Sequence, residues 1–164
     1  MMNKQQQIQT SEQPMETPME TTHYHTVQVQ RTVSGAVEDV WQAWADPIKI
    51  AHWFTEEAEQ DLRVGGRYRN SDGDEGEYLE VQPPNRLKFT WEQPDYAPGS
   101  IVTVELSAGE QEKTTVVEVL HQQVHCDDAD DLQTGWQWAL DSLQRYMITG
   151  LGIRFEEWMM MQSQ

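Results

Sequence analysis

Cysteine is almost absent. Cys126 stands alone among 164 residues, so no internal disulfide can form, and tetrathiolate metal sites and two-cysteine redox motifs are excluded. Cations are scarce as well. Eleven Lys and Arg against 28 Asp and Glu leave a formal charge of −17. Nucleic acid and anionic membrane both need clustered Lys and Arg, so neither is expected as a partner. No apolar run approaches the roughly 18 residues that span a bilayer. Residues 1–22 are Gln, Thr, Met and Pro without an apolar centre; they read as a disordered tail rather than a secretory signal, and the chain as cytoplasmic. Also missing are the phosphate-loop, dinucleotide and nucleophile-elbow patterns. Cys126 lies beside Asp127 and Asp128, and neighbouring carboxylates disfavour its thiolate, so it is a poor nucleophile.

What is present is ordered by hydrophobic period. Residues 24–33 carry Val27, Val29 and Val33 on one face of a strand. Ser34 is a helix-cap candidate, and Val37, Val40, Trp41 and Trp44 follow at helical spacing. Asp46-Pro47 ends that helix and caps a second, brief one bearing Ile48, Ile50, Trp53 and Phe54. Strand-like runs then appear at 57–62, 66–70, 77–81, 86–92, 100–107 and 114–121, separated by Gly, Pro, Asn and Asp turns. Leu87, Phe89 and Trp91 alternate with polar residues, as do Val102, Val104 and Leu106. One face of such a sheet is apolar and wants a cover.

Residues 127–150 supply it. Leu132, Trp136, Ala139, Leu140, Leu143 and Met147 fall on one helical stripe. Asp127, Asp128, Asp130 and Asp131 suit the helix N-terminus, and Gly150 is a natural stop. About 21 helical residues span roughly 31 Å, enough to cross a small sheet. The fold class is therefore α+β: a curved antiparallel sheet wrapped around a long C-terminal helix, with two short helices after the first strand. The expected division is a tail at 1–22, one domain at 23–149 and a C-terminal extension at 150–164.

These segments resemble the SRPBCC (START-like, birch-pollen-allergen-type) superfamily with its helix-grip fold. Within it they are similar to homologues of the C-terminal domain of the heat-shock-protein-90 ATPase activator. The segments that carry the likeness are Val37-Glu38-Asp39-Val40-Trp41 with Asp46-Pro47 and Trp53, Gly65-Gly66-Arg67-Tyr68, and Gly76-Glu77 leading to Val81. Pro83-Pro84 with Leu87 to Trp91, then the strand ending at His121, and Gly135-Trp136 with Leu143 complete the set in family order.

The resemblance implies a cavity between helix and sheet. Its candidate lining residues from the first half of the chain are Trp44, Trp53, Phe54, Tyr68, Tyr78 and Phe89. From the second half they are Trp91, Val104, Val117, Val119, His121, Trp136, Leu140 and Leu143. The same side chains are also what an ordinary filled core requires. Alternation with Val117 and Val119 turns His121 inward, and Tyr68 and Tyr78 bring hydroxyls. His23, His25, His121, His125, Cys126 and Asp127 form a loose N/S/O set without a recognised zinc spacing. No metal, cofactor or catalytic constellation is expected.

Two features are left over by this fold. Trp138 falls about 160° from the apolar stripe, and the extension carries Phe155, Trp158, Met159, Met160 and Met161. Trp138 and Trp158 are thus candidates for a partner surface, covered by the chain's own tail, a second subunit or another protein. The leading functional expectation is binding of a small hydrophobic or aromatic ligand without catalysis. The alternatives are a co-chaperone-like regulator, and a cyclase- or hydratase-like enzyme using Tyr68, Tyr78 or His121 as acid or base.

Overall fold

The computed structural model describes residues 23–163; the reading of residues 1–22 as a tail lies outside the described residues. In order the elements are β1 (Tyr24–Ser34), α1 (Val37–Ala45), α2 (Pro47–Ile50), β2 (Ala58–Gln60), β3 (Arg67–Asn70) and β4 (Glu75–Gln82). Then come β5 (Arg86–Trp91), β6 (Ser100–Ala108), β7 (Thr114–His125), a tight turn at Cys126–Asp128, α3 (Ala129–Thr149) and α4 (Phe155–Gln162). The seven strands form one sheet in the order β1-β7-β6-β5-β4-β3-β2, and every pairing is antiparallel. After β1 the two short helices carry the chain to the far edge. It returns strand by strand until β7 closes against β1. No helix among the described residues is long and apolar enough to cross a membrane.

Period-two burial gives the sheet its inner face. Leu87, Phe89 and Trp91 on β5, Val102, Val104 and Leu106 on β6, and Val117 and Val119 on β7 are all buried. Against them α3 presents Leu132, Trp136, Ala139, Leu140 and Leu143. This is the helix-grip arrangement. Two stop signals act as expected. Asp46 Oδ1 accepts from the Ile48 N–H at 2.9 Å with Pro47 at the first helical position. Gly150 ends α3 at φ 91°, its N–H reaching Tyr146 O at 2.8 Å; the left-handed turn costs a side-chain-bearing residue far more.

The boundaries differ from expectation in physical detail. Ser34 caps nothing: it stays in β1, where its N–H meets Gln144 Oε1 at 2.7 Å. Gly35, at φ 125°, turns the chain, and Ala36 opens α1 without a side-chain cap. The turn at Cys126–Asp128 delays α3 to Ala129. Strand β7 runs to His125 rather than His121, passing Gln123 at φ 62°, because β1 shifts register between His25 and Val27 and keeps pairing. Strand β4 begins at Glu75, two residues ahead of the expected run at 77–81.

Candidate functional site

Seven of the expected lining residues meet around a small chamber. Trp44 from α1, Phe54 beyond α2, Tyr68, Tyr78, Phe89 and Trp91 from the sheet, and Trp136 from α3 enclose about 30 Å³. That is close to the share of one water molecule in the liquid. The rings pack at stacking and edge distances: Trp44 to Trp136 at 6.5 Å, Tyr68 to Phe89 at 5.1 Å, Trp91 to Trp136 at 5.8 Å. Two polar atoms on its walls, Trp44 Nε1 and Gln60 Oε1, are buried without a protein partner. Val104, Val117, Val119, Leu140 and Leu143 are fully buried in the packed core; they line neither this chamber nor the groove described below.

His121 is 0% exposed, and its hydrogen bonds define its protonation. Trp136 Nε1 can only donate, and it reaches His121 Nδ1 at 3.0 Å. The proton therefore sits on Nε2, which donates to Ser100 Oγ at 2.7 Å. Ser100 Oγ in turn donates to Ala97 O at 2.6 Å. The pair resembles a base and a nucleophile, but its polarity is reversed. Histidine donates, and serine is spent on a carbonyl. Burial lowers the imidazole to about 4 from 6.5. As the pH falls from 6.5, the unfolded chain takes up a proton that the folded chain refuses. The contribution to stability is complete above that window and lost toward pH 4, amounting to at most about 3 kcal/mol. His121→Gln keeps both hydrogen bonds without the titration. Urea unfolding across that range should show a shallower acid loss than in the wild type; parallel curves would refute the assignment.

Tyr68 is committed too. Tyr68 Oη donates to Thr90 O at 2.7 Å, and burial pushes both the Tyr68 and Tyr78 phenols well above their ordinary range. Neither phenol nor His121 lines the open groove next to the chamber.

That groove holds about 860 Å³, and five segments build it. Residues 51–56 after α2 form one wall, and Asp72 and Asp74 of the β3–β4 turn a second. Trp91, Gln93 and Tyr96 close one end, with Leu132, Gly135, Trp136 and Trp138 of α3 as floor. Residues 151–156 complete it. Phe54 divides groove from chamber: its ring stacks on Trp136 at 5.7 Å and on Trp138 at 6.0 Å. Trp53, expected in the cavity, lines the groove instead and donates from Nε1 to Ala43 O at 3.0 Å.

The chain's own tail occupies the outer side of α3. Trp138 Nε1 donates to Ile153 O at 2.7 Å, and Trp158 Nε1 to Asp141 Oδ2 at 2.9 Å. Trp158 is buried and Trp138 half-buried, so intrachain contacts hold both proposed partner-surface tryptophans. Ser142 Oγ donates to Trp53 O at 2.7 Å and accepts from the Ile153 N–H at 3.0 Å. Gly152 makes this approach possible, since a Cβ there would lie 2.8 Å from Trp53 Cα.

Asp74 and Gln93 were not singled out from the sequence, where Ser71-Asp72-Gly73-Asp74 is plain turn chemistry. The structure buries both. Gln93 Nε2 donates to Asp74 Oδ1 at 3.1 Å, and its Oε1 accepts from the Asp95 N–H at 3.0 Å. Burial pushes the Asp74 carboxyl up, and hydrogen bonds from Gln93 and Asn70 partly oppose this. The N/S/O set contracts to three: atoms of His125, Cys126 and Asp127 lie within 4.8 Å of one another on an accessible corner. The His23 ring lies 6.1 Å from that of His125, and His25 is exposed. His121 points away into the core.

Residues 35–147 match the family described as Activator of Hsp90 ATPase homolog 1-like protein. Among solved structures, CalU16 from Micromonospora echinospora is 30% identical with a TM-score of 0.64, over 72% of this chain and 73% of that one. DynU16, from the dynemicin biosynthetic locus, is 28% identical with a TM-score of 0.67; the match covers 77% of this chain and 48% of DynU16. An AHSA1-like protein from Aeromonas hydrophila is 27% identical with a TM-score of 0.64, over 77% of this chain and 94% of that one. No curated protein matches the sequence.

Proposed function

The chain belongs to the family of Activator of Hsp90 ATPase homolog 1-like proteins, and from that premise we propose that it binds a small hydrophobic or aromatic ligand without transforming it. The observation that carries this reading is the 860 Å³ groove with aromatic walls, a volume suited to a small organic molecule. The chamber of 30 Å³ is too small for one. The ligand's place is therefore the groove beside α3, with Phe54 as its inner boundary. DynU16, whose locus makes dynemicin, is a relative whose setting agrees with a small-molecule role. The tail wall at residues 151–156 lies beyond the matched span.

Gly135 offers a direct test. It lies on the groove floor, and a Cβ built there meets nothing within 4 Å. Gly135→Leu should stabilise α3 by about 0.5–1 kcal/mol while filling the site. Titration with phenylnaphthylamine, a neutral fluorescent probe, should show binding to the wild type and at least about tenfold weaker binding to the variant. A variant that folds and binds equally well would overturn the proposal.

A second reading, a regulator that works through protein contact, rests on α4. Met159, Met160 and Met161 remain exposed there after Trp138 and Trp158 are covered, and flexible thioethers adapt to varied surfaces.

A further inference from the structure

Granted that the groove is the binding site, we propose that its ligand carries a cationic nitrogen beside a planar apolar body, and that Asp74 receives that nitrogen. Asp74 differs in kind from the chain's other acids. Most of them are solvated, and the surplus of Asp and Glu in the composition accounts for Glu56, Asp72 and Glu156 on the groove rim. Asp74 is 7% exposed. Its neighbours are two amides, Gln93 and Asn70, and a like charge, Asp72; among the described residues no Lys or Arg pairs with it. A buried carboxylate without a counter-ion is costly unless something neutralises it.

The surroundings hold it ready. Gln93 is spent at both ends, on Asp74 and on the Asp95 N–H, so the carboxylate is fixed in place. Beside it Trp91, Tyr96, Trp138 and Phe155 line the same groove. Aromatic faces attract cations and stack on planar rings. Arg154 is the only permanent cation among the lining residues, set against four carboxylates: Glu56, Asp72, Asp74 and Glu156. An anionic ligand would meet repulsion where an ammonium meets a partner.

A matched series separates charge from shape: naphthylmethylammonium, naphthylmethanol and naphthoate, titrated by calorimetry at physiological salt. The cation should bind about tenfold more tightly than the alcohol, and naphthoate more weakly than both. Asp74→Asn should erase the cation's advantage while leaving the alcohol's affinity unchanged. Glu110→Gln, on an exposed turn away from the groove, controls for the protein's overall negative field and should leave the preference intact. Should Asp74→Asn fail to fold, the wild-type order still decides. Equal binding of all three probes, still lost in Gly135→Leu, would overturn the charge assignment and leave the binding site standing. If none binds, the binding reading itself fails. A preference lost equally in Glu110→Gln would make it a bulk-charge effect and also overturn the role of Asp74.

Discussion

Replacing Trp136 with alanine should cost about 4 kcal/mol of stability, the largest loss expected from any single side chain in the protein. Three rings lose a wall at once: Phe54 stacked at 5.7 Å, Trp91 at 5.8 Å and Trp44 at 6.5 Å. His121 Nδ1 loses its donor at the same stroke. Trp136→Phe separates the two effects. It keeps most of the ring volume but strands a buried acceptor, so about 1–3 kcal/mol should remain as loss. Urea unfolding at neutral pH measures both, and an unchanged slope would show that the unfolded state is unaltered. If the phenylalanine variant is as stable as the wild type, the Trp136–His121 hydrogen bond has no net worth. An alanine variant losing under about 1 kcal/mol would mean the aromatic cluster is not packed as described.

Ending the chain at Gly150 has the second large effect, about 2–4 kcal/mol destabilising. Ile153 and Trp158 leave buried sites, and bonds to Trp138, Ser142, Asp141 and His52 are lost. The entropy regained by freeing the tail offsets part of this. The truncated protein should remain monodisperse at low concentration and expose Trp138, seen as a red shift of its emission. Wild-type stability in the truncated chain would show that the tail merely rests on the surface.

Much of this architecture is legible in the residues. The stripe from Leu132 to Leu143 and the alternation along β5 and β6 are consequences of one face meeting water and the other not, which is a local pattern. Pro47 and Gly150 mark boundaries because each restricts or permits particular backbone angles. The inward turn of His121 follows from counting by two along β7. What cannot be read this way depends on distant partners. Asp74 looks like a solvated turn residue until Gln93, nineteen positions on, folds over it. Trp138 looks like an exposed residue because the helical wheel omits the tail, which returns to α3 only after Gly150 reverses the chain. The groove itself is built from five segments of the chain, and no single one of them signals it. Strand ends run past the apolar pattern where a register shift, as at His25, lets pairing continue beyond it.

Ser142 has a consequence for how the groove breathes. One hydroxyl holds Trp53 O on one wall and the Ile153 N–H on the other, and both bonds are buried in the helix that forms the floor. The Gly152 N–H also donates to His52 O across the gap at 2.9 Å, so neither wall can swing away while the other stays fully bonded. The two should therefore exchange their amide hydrogens with solvent as a single cooperative unit, at one common opening rate. A molecule too bulky for the resting groove would wait for that event, so its association rate would be set by the protein's own opening frequency instead of by diffusion.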